Sequence, residues 1–208
     1  MDRVPSSIDD NVKRIINKIK TTEKPIYLDV TPESYSEINE CMSSVKQKIE
    51  KEGGSVQLGW KIWQIPDIMI EAEFHAVWKS PYGTLKDITP KPENVRRILF
   101  VPDSKANYDG SLRNNIRLNI SGNRLVDDFI RICDAIYKLK NKGERAYQNK
   151  IYLSNEESQV LEMLSHTKAL VITMTKNGSS RNSQCICGSG NKYKHCHGKL
   201  LDDLLAKV

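Results

Sequence analysis

Two sets of residues in this chain have the types and spacing that chemistry requires. The first lies near the C-terminal end, in Cys185-Ile186-Cys187-Gly188-Ser189-Gly190-Asn191-Lys192-Tyr193-Lys194-His195-Cys196-His197-Gly198. Two cysteines stand two apart, and an adjacent Cys-His pair follows after a glycine-containing turn. Three thiolates and one imidazole form a tetrahedral ligand set suited to Zn²⁺, and a closed set of four is structural rather than catalytic. His195 competes with His197 for the imidazole position. Gly188 and Gly190 allow the positive φ needed to wrap backbone tightly around a metal. The segment is too short and polar to bury a core, so metal binding would supply its folding energy.

The second set is Cys41, His75 and Asp87. A thiol nucleophile needs a neighbouring imidazole to form the thiolate, and the imidazole needs an orienting carboxylate or amide. A hairpin is what must bring His75 and Asp87 together. In the run from Ile68 to Trp78, Ile68, Ile70, Ala72, Phe74, Ala76 and Trp78 face one way. Glu71, Glu73 and His75 face the other, by the two-residue period of a strand. Ser80-Pro81-Tyr82-Gly83 suits a type I turn with Gly83 in the left-handed bulge position. That turn pairs Ser80 with Thr84, His75 with Thr89 and Val77 with Asp87. His75 and Asp87 then share a face as diagonal neighbours.

The remaining elements follow in order. Ile8, Val12, Ile15, Ile16 and Ile19 recur at helical spacing behind Ser6-Ser7 and Asp9-Asp10, and Lys24-Pro25 ends that helix. Ile26-Tyr27-Leu28 reads as a short strand. Thr31-Pro32-Glu33 is a helix-start signature, and Tyr35, Ile38, Met42, Val45 and Ile49 continue an apolar stripe until Gly53-Gly54. One helix, or two that break near Asn39, fits equally well; in the first case Cys41 lies mid-helix. Val56, Leu58, Trp60 and Ile62 alternate as a strand before a turn at Pro66-Asp67, and Arg96 to Val101 is another. Residues 104–123 read as a long surface loop. Leu125 to Lys140 is an amphipathic helix with Cys133 as a small core hydrophobe. Ser154-Asn155-Glu156-Glu157 is a capping box for a long helix to Lys176. Ser179 to Gln184 is a polar linker, and Leu200, Leu201, Leu204 and Leu205 form a short amphipathic helix.

Length and composition set the bounds. The 208 residues allow one ordinary domain with a small appendage. No apolar run approaches the ~18 residues of a membrane span. Met1-Asp2-Arg3-Val4-Pro5 leads into an amphipathic segment rather than an apolar signal core. Three of the five cysteines belong to the metal set, and free thiols beside a zinc site fit a reducing compartment. The expected location is therefore cytoplasmic. The formal charge is +6, and it is uneven. From Lys176 onward, Lys176, Arg181, Lys192, Lys194, Lys199 and Lys207 stand against only Asp202 and Asp203, which favours acidic proteins, ribosomal RNA or anionic lipid head groups as partners. No glycine-rich phosphate loop and no DNA-binding module is present.

Over Ser183 to Gly198 the chain resembles the SEC-C motif found at the C-terminus of the SecA translocation ATPase, including the inner Cys-Gly-Ser-Gly and the Lys-Tyr-Lys run. The resemblance implies one structural Zn²⁺ held by Cys185, Cys187, Cys196 and His197, since His197 completes the family's Cys-His pair. It also implies a protein partner, or a lipid or ribosome surface. Residues 39–90 more weakly resemble transglutaminase-like proteins. His75-Ala76-Val77-Trp78, the turn at Gly83 and Leu85-Lys86-Asp87-Ile88-Thr89-Pro90 match that family's His-to-Asp hairpin. A Cys followed by a helix, Gly53-Gly54 and a strand to Gly59-Trp60 looks like its nucleophile half. That resemblance implies Cys41 as nucleophile, His75 as general base and Asp87 as orienter, with the nucleophile at a helix N-terminus. Gln57 and Trp60 are the candidate oxyanion donors.

The expected architecture is α+β: an antiparallel sheet with packed helices in a papain- or transglutaminase-like arrangement over 1–176, a linker at 177–184, and a zinc module with a short helix over 185–208. The expected function is a zinc-binding SEC-C-type protein whose tail docks a macromolecular partner. Its N-terminal domain is expected to be a cysteine hydrolase or acyl transferase acting on a peptide, glutamine or thioester carbonyl. A non-catalytic cytosolic adaptor is the competing expectation.

Overall fold

A computed structural model describes residues 3–92, 95–148 and 150–208. Met1 and Asp2, part of the leading stretch read for a signal core, lie outside the described residues. Among the described residues no helix is long and apolar enough to cross a membrane. Contacts divide the chain into two compact units. One comprises the chain to Pro66, Ile70–Tyr108 and Asn115–Leu118; the other comprises Asp67–Met69, Asp109–Asn114 and Asn119–Val208.

The first unit contains helices α1 (Asp10–Ile19) and α2 (Cys41–Glu52) and an antiparallel sheet. Its strands are β1 (Ile26–Asp29), β2 (Ser55–Ile65), β3 (Met69–Lys79), β4 (Leu85–Lys86) and β5 (Arg97–Pro102), in the order β1-β5-β2-β3-β4. Helix α1 starts where the sequence places it: the Asp9 side chain accepts from the Val12 N–H, a regular N-cap. The β3–β4 register pairs Trp78 with Lys86 and Lys79 with Leu85, the alignment that the three-residue turn dictates. The turn itself is closed by Ser80 N–H to the Thr84 carbonyl and Gly83 N–H to the Ser80 carbonyl, with Gly83 at φ 86°. Beyond Lys86 the pairing changes partner. Asp87 bridges to Val30 in parallel, just past the end of β1, so the last strand of the sheet is tied back toward its first.

Alternation along β3 builds two cores. Val77 packs with Leu28, Ile98 and Phe100, while Ala76 and Trp78 pack with Val45 and Ile88, joined by Cys41, Met42 and Ile49 of α2. Where β2 pairs with β5, Gly59 admits close approach of the neighbouring strand. A Cβ there would lie 2.3 Å from the Val101 carbonyl oxygen and 2.5 Å from the Phe100 ring. Gly59→Ala should therefore cost about 1–3 kcal/mol, a melting temperature lower by several degrees. An unchanged calorimetric transition would refute this account of the strand pairing.

Two expectations are corrected in this unit. Thr31-Pro32-Glu33 does not start a helix, because its backbone is used elsewhere: Thr31 N–H bonds the Asp87 carbonyl and Glu33 N–H the Ile88 carbonyl. Asn39 then takes a left-handed conformation at φ 68°, which the short amide side chain tolerates, and α2 begins at Cys41. The loop expected over 104–123 contains a sixth strand, β6 (Ile116–Asn119), paired with β3. Arg117 and Asn115 both engage Glu71 across that pairing.

The second unit contains α3 (Arg124–Lys140), α4 (Asn155–Lys176) and α5 (His197–Leu205). The capping box at Ser154 and Glu157 is formed as expected, and Glu157 also takes a bidentate pair from Arg145. Cys133 is buried in α3. The contacts do not part at residue 176, where the sequence suggested a boundary. Helices α3 and α4 group with residues 177–208, and α5 packs against both. The segment 177–184 is bonded along its length, through Ser179 N–H to the Met174 carbonyl, Asn123 Nδ2 to the Ser179 carbonyl, and Tyr193 N–H to the Ser183 carbonyl.

Candidate functional site

In the first unit, Cys41 is the first residue of α2 and is half-buried. The N-cap residue Glu40 makes no side-chain capping bond. The first intrahelical bond runs from Ser44 N–H to the Glu40 carbonyl, so the N–H groups before it have no partner within the helix. His75, from the middle of β3, is 2 % exposed and Asp87 is fully buried. His75 Nε2 lies 3.1 Å from Asp87 Oδ2. The imidazole therefore has only Nδ1 left for the thiol. Burial opposes ionisation of Cys41, but the hydrogen bond and charge of His75 outweigh it. The Ala76 backbone N–H and the Lys61 charge add to them, and the thiol is held below its ordinary value. Burial likewise disfavours the imidazolium, yet Asp87 and Cys41 together raise His75 above the usual histidine range. The structure thus joins His75 to Asp87 directly, with Cys41 close enough to the imidazole for each to shift the other.

The sequence reading missed Lys91. Its Nζ sits 2.7 Å from Asp87 Oδ2, the same oxygen that faces His75, and 2.8 Å from the Thr89 carbonyl oxygen. Asp87 Oδ1 accepts from the Thr89 N–H at 3.0 Å. The carboxylate is thereby satisfied on both oxygens. Although burial pushes it up, His75 and then Lys91 pull Asp87 down to about 2. Lys91 itself is lowered, because its burial exceeds the support from Asp87. A lysine between two prolines, four residues past an aspartate, carries no sequence signal of this pairing. Gln57 and Trp60 are less suited to the oxyanion role: Gln57 Nε2 donates to the Leu58 carbonyl and Trp60 Nε1 to Asp103. Glu71 and Glu73, which share the strand face of His75, pair with Arg117 and Lys61.

In the second unit, Cys185, Cys187, Cys196 and His197 present ligand atoms that all lie within 4.8 Å of one another. Cys185 Sγ is 3.2 Å from His197 Nδ1, and Cys196 Sγ is 3.5 Å from both Cys187 Sγ and His197 Nδ1. A tetrahedral zinc with Zn–S near 2.3 Å separates its ligands by about 3.8 Å, so the set has the right size as well as the right donors. His195 lies outside the cluster and is exposed. Local backbone explains the cage. Gln184 bridges Lys192, Cys185 N–H bonds the Asn191 carbonyl, and the chain reverses between them with Gly188 and Gly190 at φ 81° and 73°. His197 opens α5, which fixes its ring next to Cys196. When bound, a zinc ion here would supply cross-linking and folding energy, with no open coordination position for catalysis.

The module is anchored within its unit by its own core. Tyr193 and Leu201 are fully buried and Leu204 nearly so. Gly198 allows the Tyr193 ring and carbonyl to approach, at 3.1 and 3.0 Å from the position a Cβ would take. Arg181 Nε meets Asp128 of α3 at 3.3 Å, and Arg131 joins Asp128 to Asp202 of α5.

Comparison with known proteins places residues 181–199 in a SEC-C motif. The chain is 36 % identical over 67 residues to the protein translocase subunit SecA of Albidiferax ferrireducens, covering 30 % of this chain and 7 % of that protein. It is 80 % identical over 20 residues to SecA of Verminephrobacter eiseniae, 10 % of this chain and 2 % of that one. The chain thus spans a small fraction of the length of these curated relatives. No solved structure matches the fold, and neither match carries the transglutaminase-like resemblance of residues 39–90. The alignment that remains is the C-terminal one: a SEC-C motif with its three cysteines and His197 gathered into one cluster.

Proposed function

We propose that the first unit is a cysteine-dependent hydrolase or acyl transferase acting on a peptide, glutamine or thioester carbonyl, and that the zinc module docks it to a macromolecular partner. The observation that carries the first part is Cys41 at the start of α2, beside a buried His75 whose Nε2 meets Asp87 at 3.1 Å. In this reading His75 takes the Cys41 proton, and Sγ attacks the carbonyl carbon to form a tetrahedral adduct. Backbone N–H groups of the first turn of α2 and the helix dipole favour the oxyanion. The carbon–leaving-group bond then breaks as the imidazolium gives the departing group its proton. Water or an amine, deprotonated by His75, attacks the resulting thioester and releases Cys41. Asp87 fixes the tautomer that makes these transfers possible. The docking part rests on the SEC-C motif and on its exposed Lys192, Lys194 and Lys199, which favour an acidic protein surface, with ribosomal RNA or anionic lipid as other acidic surfaces.

Alkylation tests the reading. A free thiol with pKa near 8.5 is only a few per cent thiolate at pH 7, and His75 holds Cys41 below its ordinary value, so a larger share of it is ionised. Iodoacetamide at pH 7 should therefore modify Cys41 faster than an ordinary exposed thiol, and His75→Ala should remove that advantage. Buried Cys133 is the internal control. If Cys41 reacts no faster than Cys133, or if His75→Ala leaves the rate unchanged, the enzyme reading falls. The non-catalytic adaptor is then the remaining function.

A further inference from the structure

We propose that Lys91 is a positioning residue for the Cys41–His75 pair, holding Asp87 in place while limiting its pull on the imidazole, so that His75 can give up its proton once the thiolate is consumed. This rests on the catalytic reading of Cys41 and His75.

The geometry is a three-way contact at one oxygen. Asp87 Oδ2 faces His75 Nε2 at 3.1 Å and Lys91 Nζ at 2.7 Å, and all three side chains are at most 2 % exposed. Thr89 occupies the carboxylate from the other side, through its N–H on Oδ1, and its carbonyl receives the Lys91 ammonium. A buried carboxylate with a single buried imidazole would form a neutral ion pair, and the imidazolium would persist to high pH. Lys91 changes that arithmetic. Asp87 and Lys91 already sum to zero charge, so an imidazolium at His75 adds an uncompensated buried cation unless Cys41 is ionised. Protonated His75 is thus favoured with a thiolate present and disfavoured once the thiolate has been consumed by acylation. A base needed in the second half of an acyl transfer has to behave in this way. Among the described residues, the other charges bearing on the group are few. Cys41 is its partner, and Lys61 acts on both Cys41 and Lys91 while neutralised by Glu73 at 3.0 Å.

The test reads His75 directly. In the zinc-loaded Cys41→Ser protein, where no thiolate faces His75, the His75 ring nitrogens are followed by ¹⁵N NMR against pH, with His75→Ala identifying the signals. Replacing Lys91 by Met removes the cation while keeping the apolar stem, and should raise the His75 midpoint by about one unit or more. Lys91→Arg should leave it near the unsubstituted value. Lys91→Gln carries the same test as Met if the Met variant does not fold. In the Cys41→Ser chain with Lys91 intact, His75 should also show a second, smaller inflection at alkaline pH as Lys91 loses its proton. A midpoint unmoved in every folded Lys91 variant overturns the proposal, as do an equal shift in Lys91→Arg and an absent alkaline inflection. None of these readouts depends on alkylation of Cys41. Failure of the catalytic reading would instead appear as slow Cys41 alkylation with the His75–Lys91 coupling intact.

Discussion

Chelating zinc from the intact chain is expected to unfold residues from about Ser183 to Leu205 and to loosen the helices that share their core. Structural zinc in small peptides contributes about 10–16 kcal/mol of apparent binding free energy, as much as the whole stability of an ordinary domain. The residues it would organise are also the ones that bury the module: Cys185 is 4 % exposed, Tyr193 and Leu201 are fully buried, and α5 packs on α3 and α4. Without the metal, the three thiols and His197 lose the reason to sit within 4.8 Å of one another. Amides of Cys185, Tyr193 and Leu200 should then lose hydrogen-exchange protection outright. Those of α3 and α4 should lose part of theirs, while β2 and β3, which belong to a unit with its own core, should hardly change. Single substitutions separate the two candidate imidazoles. His197→Ala should lose stoichiometric zinc by elemental analysis and melt like the chelated protein, and His195→Ala should retain both metal and melting temperature. Protein purified without chelator yet free of zinc would defeat this expectation, and metal loss in His195→Ala alone would reverse the ligand assignment.

The metal cluster was legible because its signal is local. Ligand order, spacing and two turn glycines all lie within one short segment, where sequence neighbours are necessarily spatial neighbours. The His75–Asp87 meeting was legible in part: the tight turn fixes the parity of Trp78 against Lys86, but the expected pairs Val77–Asp87 and His75–Thr89 do not follow, and Asp87 bridges Val30 instead. Position along a longer range was harder. Thr31-Pro32-Glu33 carries real helix-start preferences, but Asp87 and Ile88 claim its backbone bonds, and only the folded sheet brings those residues there. The start of α2 at Cys41 depends on Asn39 taking a left-handed conformation, a choice the apolar stripe through Tyr35 and Ile38 hides. Strand β6 was obscured by its surroundings, because Ile116 and Leu118 alternate correctly amid asparagine and serine. Lys91 left no trace at all. Buried lysines are rare, and what makes this one tolerable is a carboxylate oxygen already shared with a histidine.

Asp87→Ala is expected to be the most damaging single change in the first unit, lowering stability by about 3–5 kcal/mol. The substitution removes the acceptor for two buried donors at once, His75 Nε2 and Lys91 Nζ, and leaves the Thr89 N–H without its partner. Lys91 would then be a buried cation with only the Thr89 carbonyl to hold it, so it would deprotonate or draw water inward. Asp87→Asn should cost less, because an amide still accepts from one donor, although it cannot hold the Lys91 charge. The unsubstituted chain provides a matching pH signature. Asp87 is held at about 2 in the fold, against an ordinary value of 3.8. Its carboxylate binds a proton more weakly when folded, so its stabilisation is complete above about pH 4 and is lost as pH falls toward 2. The loss amounts to roughly 2 kcal/mol from this group alone. Urea midpoints measured from pH 5 down to 2 should therefore fall more steeply for the unsubstituted chain than for Asp87→Asn, which has no carboxyl left to protonate. Parallel slopes would mean that Asp87 is not ionised in this buried contact. The chain of charge from Lys91 through Asp87 and His75 to Cys41 would fail with it.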